Sequence, residues 1–115
     1  MPLIKMQVSV TVPDGKRAKL LTEASRIVAE ITGKPEKYVM VVLETGDILM
    51  GGVAGASAFL DVRGIGGLTK TVNGQLTKAL GDLLRQELAI SPTRVYATFT
   101  DVPASNWGCN GATFG

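Results

Sequence analysis

The chain repeats itself, and that repeat limits its possible folds more than any single motif. A shift of 57 positions carries Pro35 onto Pro92, Lys37 onto Arg94, Ile27 onto Leu84 and Ile31 onto Leu88. Each half reads strand, helix, strand. Any two units of that order look loosely alike, but a proline, a basic residue and a strand start shared at one offset favour a repeat. The spacing predicts two β-α-β units on one sheet, each crossover right-handed.

Local patterns support this order. Ile4, Met6, Val8 and Val10 alternate with Lys5, Gln7, Ser9 and Thr11, the period of a half-buried strand. Val12-Pro13-Asp14-Gly15 breaks it, with Asp14 the candidate N-cap. Leu20, Ala24, Ile27, Val28 and Ile31 then recur at helical steps as far as Gly33, the expected C-cap, with Pro35 beyond. The unbroken apolar run Tyr38–Leu43 predicts a strand buried on both faces. Ile48–Met50 reads as a short return strand and Gly51–Ala56 as a flexible loop. A second alternating strand sets Ala58, Leu60 and Val62 against Phe59, Asp61 and Arg63. After Gly64–Gly67 a helix is expected over 71–88, then a strand over 95–100. The tail is rich in Pro, Asn, Gly and Ser, with Trp107 and Phe114 its only large apolar residues.

The fold class is α/β (α+β by some schemes): a four-stranded mixed sheet with two helices on one face. Such a sheet leaves its second face and its edges bare, and an oligomer packing sheet against sheet is the expected remedy. At 115 residues the chain forms one domain, 1–115, with no room for a second core.

Composition excludes several functions. A net charge of +2 with scattered basic residues argues against nucleic acid and anionic membranes. Cys109 is the only cysteine and histidine is absent, so an internal disulfide, a Cys-rich zinc site, a histidine triad and a histidine-ligated metal are all out. No signal-like segment opens the chain, and no apolar run nears the roughly 20 residues of a spanning helix. Cytoplasmic location is the expectation.

With no histidine to act as a base, attention falls on Pro2. Proline after an initiator methionine favours methionine removal, which leaves a secondary amine at the terminus. An ordinary α-amino group titrates at about 7.7–8.0. Burial or a nearby cation would lower that value and supply a base near neutrality. Lys34, between Gly33 and Pro35, has two possible roles. It can offset the negative end of the first helix, or it can stand beside the amine and bind an anion. Gly64-Ile65-Gly66-Gly67 lacks the spacing of a dinucleotide fingerprint. It reads as a tight turn whose backbone amides remain available to an anion near the helix start. The carboxylates show no paired spacing, and Ser57 and Ser91 have no base partner in sequence.

Several motifs in order resemble the tautomerase superfamily, and closely its macrophage migration inhibitory factor group. They are Met1-Pro2, Val12-Pro13-Asp14-Gly15, Thr32-Gly33-Lys34-Pro35, Gly64-Ile65-Gly66-Gly67, Ile90-Ser91-Pro92 with Arg94-Val95-Tyr96, and Thr113-Phe114. The resemblance implies a homotrimer whose sheets surround a central channel, with active sites between neighbours. It implies cofactor-free keto–enol tautomerisation of phenylpyruvate-like acids. By position, Pro2 would shuttle the proton. Lys34 would bind the carboxylate, helped by the backbone N–H of Val62 at its strand end. Tyr38 would line the pocket, Tyr96 and Thr98 would come from the adjacent subunit, and Trp107 and Cys109 would lie at the rim.

Three departures narrow this expectation. Thr98 replaces an asparagine of the animal cytokine that meets a substrate phenol. The tryptophan of the tail precedes the glycine, in Asn106-Trp107-Gly108-Cys109, and dopachrome-type substrates should be poorly handled. The Cys-x-x-Cys stretch is missing, so thiol-redox activity does not carry over. Beside the enzyme reading stands an interaction protein, a cytokine-like trimer with a vestigial pocket and an unnamed receptor. A small ligand-binding domain without catalysis is the third.

Overall fold

The structure, a computed structural model, describes residues 1–115. Strand β1 (Leu3–Val8) buries Ile4, Met6 and Val8 and leaves Lys5 and Gln7 half-exposed, as its alternation requires. Helix α1 (Asp14–Thr32) turns Leu20, Ala24 and Val28 fully inward at four-residue steps. Asp14 is not its cap: Pro13 holds that position, and its carbonyl accepts from the N–H groups of Lys16 and Arg17. Asp14 opens the first turn, where its charge favours the positive helix end. Gly33 closes the helix at φ 71°, its N–H donating to Ala29 at 2.9 Å. A Cβ there meets nothing within 4 Å. Gly33→Ala should therefore cost the conformational penalty alone, about 1–2 kcal/mol, read as a fall in thermal midpoint of several degrees.

A 3₁₀ turn at Glu36–Tyr38 follows Pro35, so strand β2 begins at Met40 and runs to Thr45. This corrects the expectation of a strand from Tyr38. Nor is β2 buried on both faces. It is an edge strand paired only with β1, and Met40 is 61% exposed. Strands β3 (Leu49–Met50) and β4 (Val53–Ala54) form a hairpin through Gly51 and Gly52, both at positive φ. The expected flexible loop is thus partly strand, because two left-handed glycines suit a tight hairpin. Strand β5 (Ala58–Gly64) alternates as expected. Helix α2 (Lys70–Leu88) is capped by the Thr69 side chain, which accepts from the Val72 N–H at 3.2 Å. A second 3₁₀ turn, Pro92–Arg94, leads into β6 (Val95–Asp101). The tail folds into a 3₁₀ turn and a small hairpin, β7 (Gly108–Cys109) with β8 (Ala112–Thr113).

The sheet order is β2-β1-β5-β6, with parallel outer pairs and an antiparallel seam between β1 and β5. Each β-α-β repeat supplies one parallel pair. Ile4, Met6, Val8, Leu60 and Val62 face Leu20, Ala24, Val28, Leu76, Leu80 and Leu84 in one core. The other face carries rows fixed by the register: Met40, Leu3, Arg63 and Thr100; Val42, Lys5, Asp61 and Thr98; Glu44, Gln7, Phe59 and Tyr96. Its charges are locally paired, Lys5 with Glu44 at 3.6 Å and Arg63 with Asp61 at 3.1 Å. Neither helix covers this face. No helix is long and apolar enough to cross a membrane.

Candidate functional site

Pro2 is buried just before β1, and its carbonyl accepts from the Met40 N–H at 3.0 Å. Because that carbonyl turns toward β2, the next residue, Leu3, turns its backbone toward β5 and pairs with Arg63. The start of β1 therefore lies against the end of β5 and the loop Gly64–Gly67.

Lys34 reaches the same corner from the opposite side of the chain. The left-handed Gly33 ends α1 and turns the backbone so that the lysine stem crosses the glycine loop. A Cβ on Gly67, at φ 82°, would sit 3.3 Å from the Lys34 Cε. The Lys34 Nζ donates to the Ile65 carbonyl at 3.0 Å. Burial first, and the Lys34 charge second, lower the pKa of the terminal amine on Met1, the residue next to Pro2. Both causes disfavour a protonated amine at this end of the chain.

The loop supplies a backbone donor. The N–H of Gly66 is taken by the Asp101 Oδ1 at 2.7 Å, but that of Ile65 has no partner within the chain. Ile65 lies two residues beyond Arg63, next along the edge of β5 that faces the start of β1.

Val62 does not fill the role expected of it. Strand β5 continues two residues further, held by the Val102 N–H on the Gly64 carbonyl at 2.8 Å. Val62 is fully buried between Ile4 and Phe99, with its backbone turned into the β6 ladder. The open amide lies at Ile65, inside the glycine-rich stretch already legible as a loop with amides to offer.

Tyr38 sits in the turn between Lys34 and Met40, 45% exposed, with the Lys37 Nζ 5.0 Å from its ring centre. Four residues lie elsewhere. Tyr96 and Thr98 are exposed on the bare face, and Asp101 is level with Gly64. At about 3.3 Å per residue they stand roughly 16 and 10 Å back along β6 from that level. Trp107 is half-buried in the tail, its carbonyl accepting from the Phe114 N–H, and Cys109 is an exposed free thiol. No three metal-ligating side chains converge in the chain. What gathers around Pro2 is a cation and an unpaired amide, a set able to hold an anion beside a nitrogen.

Two β-α-β units on one mixed sheet, with a proline opening the central strand and a lysine folded over a glycine loop beside it, define a domain of the tautomerase superfamily. The family model for macrophage migration inhibitory factor matches residues 1–115, and the chain belongs to that family. A macrophage migration inhibitory factor homolog of Brugia malayi is 38% identical over 96 residues, covering 83% of this chain and 84% of that protein. The crystal structure of the homologue from Prochlorococcus marinus superposes with a TM-score of 0.93 at 37% identity, covering 98% of this chain and 99% of its own. The macrophage migration inhibitory factor-like protein of Entamoeba histolytica gives a TM-score of 0.94 at 29% identity and 98% coverage of both chains.

Proposed function

We propose that this protein is a cofactor-independent keto–enol tautomerase acting on phenylpyruvate-like 2-oxo acids, with the Pro2 amine as base and acid. The observation that carries the reading is the Lys34 ammonium held on the Ile65 carbonyl beside the start of β1, where burial first and its charge second disfavour protonation of the adjacent Met1 amine. Removal of Met1 would make the Pro2 nitrogen that terminus. With Met1 in place the same nitrogen is a tertiary amide without basicity.

The steps balance without another reactant. Lys34 binds the substrate carboxylate, and the open Ile65 N–H offers it a second donor. The Pro2 nitrogen takes a proton from the carbon next to the keto group, and the C–H electron pair becomes the enol double bond. The same nitrogen returns the proton to the oxygen. A base poised near the working pH contributes roughly 10²–10⁴ in rate.

The working unit in this proposal is a homotrimer with the bare sheet faces turned inward. Met40 at 61% and Tyr96 at 66% exposure, and the unpaired edges of β2 and β6, support it. Tyr96 and Thr98 cannot approach Pro2 within one subunit, so a neighbour would deliver them. Trp107 and Cys109 would stand at the rim and Tyr38 at the mouth.

The test is a pH–rate profile of phenylpyruvate enol–keto conversion on protein whose intact mass shows Pro2 at the terminus. At Met1 burial and the Lys34 charge both favour the free base, and a terminus at the adjacent Pro2 would meet the same two influences. Activity should therefore rise with pH along a limb that lies below the range of an ordinary amine. A limb at the ordinary value with negligible turnover would overturn the assignment. A processed trimer with no turnover would instead favour a cytokine-like interaction protein.

A further inference from the structure

The peptide unit joining Ile65 to Gly66 is held at both ends. Its carbonyl, on Ile65, accepts from the Lys34 Nζ at 3.0 Å. Its N–H, on Gly66, donates to the Asp101 Oδ1 at 2.7 Å. The two groups of a trans peptide point in opposite directions. An ammonium and a carboxylate therefore grip one dipole from opposite sides, each at the end of opposite sign.

That grip selects between two orientations. Gly66 has φ 71°, the arrangement in which a turn can exchange forms by rotating the peptide before its glycine. Rotation of the Ile65–Gly66 plane would set a carbonyl against the Asp101 carboxylate and an N–H against the Lys34 ammonium. Apart from Ile65 the loop consists of glycines, Gly64, Gly66 and Gly67, whose backbones offer little resistance to such a rotation. Asp101 is well placed to do so. It ends β6 level with Gly64, and the next N–H, that of Val102, holds the Gly64 carbonyl at 2.8 Å.

We infer that Asp101 is a positioning residue: through the Gly66 N–H it fixes the Ile65 carbonyl that seats the Lys34 ammonium beside Pro2. Its kinetic consequence rests on the tautomerase reading, but its structural one does not.

Asp101→Ala and Asp101→Asn, each in protein of verified mass beginning at Pro2, test it. Asparagine keeps an oxygen acceptor at the same place, and alanine removes it. Asp101→Ala should raise KM for phenylpyruvate roughly tenfold, less than the ~10²-fold that a 1 Å misplacement can cost, with a smaller change in kcat. Asp101→Asn should recover most of that loss. Hydrogen exchange of the Gly66 amide should quicken by about tenfold or more in the alanine variant only, with the core amide of Leu60 as the control for general loosening. Equal impairment in both variants would overturn the inference, since the acceptor oxygen would then be immaterial. So would unchanged Gly66 exchange in Asp101→Ala. If the unsubstituted protein shows no turnover, the tautomerase reading fails separately. Gly66 exchange in alanine against asparagine then decides the positioning role alone.

Discussion

Pro2→Gly in protein freed of Met1 should lower kcat for phenylpyruvate tautomerisation by roughly 10²- to 10⁴-fold. Glycine still ends in an amine, but that amine is primary and its residue has lost the buried ring that fixes the nitrogen in place. The Pro2 carbonyl bond to Met40 is a backbone bond and survives the change. The sheet and the proposed trimer should accordingly persist, which circular dichroism and size would check. Undiminished turnover in a variant of confirmed mass would remove Pro2 from the mechanism.

Lys34→Ala should act chiefly on binding. A hydrogen bond to a charged group is worth about 1.5–3 kcal/mol, so KM for the 2-oxo acid should rise by roughly 10- to 150-fold. A second effect has a defined sign. Burial first and the Lys34 charge second lower the pKa of the Met1 amine, and a terminus at the adjacent Pro2 would face the same charge. Removal of that charge should raise the pKa of the Pro2 amine, and the acid limb of the rate profile should move to higher pH. Lys34→Arg keeps the charge and should keep the limb, while its wider head disturbs the fit over Gly67. A KM change without movement of the limb would leave Lys34 as a carboxylate ligand with no hand in tuning the base.

Much of the architecture could be read without coordinates. The offset from Pro35 to Pro92 returns in the structure as paired 3₁₀ turns, each leading into the outer strand of its repeat. The alternation of Ala58–Arg63 gives the observed inner and outer faces of β5. The strand over Tyr38–Leu43 was harder to read. A run apolar on both sides fits a central strand as well as an edge whose outer face is bare, and periodicity does not separate the two. Asp14 misled in a similar way, because the preceding proline occupies the cap position without offering any side-chain acceptor.

The site divides along the same line. Pro2, Lys34 and the glycine-rich loop stood out as residue types suited to a base, an anion ligand and backbone amides. Their meeting could not be derived, since Lys34 and Ile65 are 31 residues apart and Gly66 and Asp101 are 35 apart. The expected amide at Val62 shows the limit. Which N–H groups stay free depends on where pairing stops, and β5 pairs as far as Gly64 before it releases Ile65.

The order of elements, the capping glycine at Gly33 and the apolar faces are properties of neighbouring residues, and the chain determined them by itself. The tertiary structure decided which strands became edges, which amide remained open and which carbonyl seats the lysine. Those outcomes depend on the registers β1 makes with β2 and β5, and β5 with β6. A register is set by how two distant stretches pack together, and neither stretch encodes it alone.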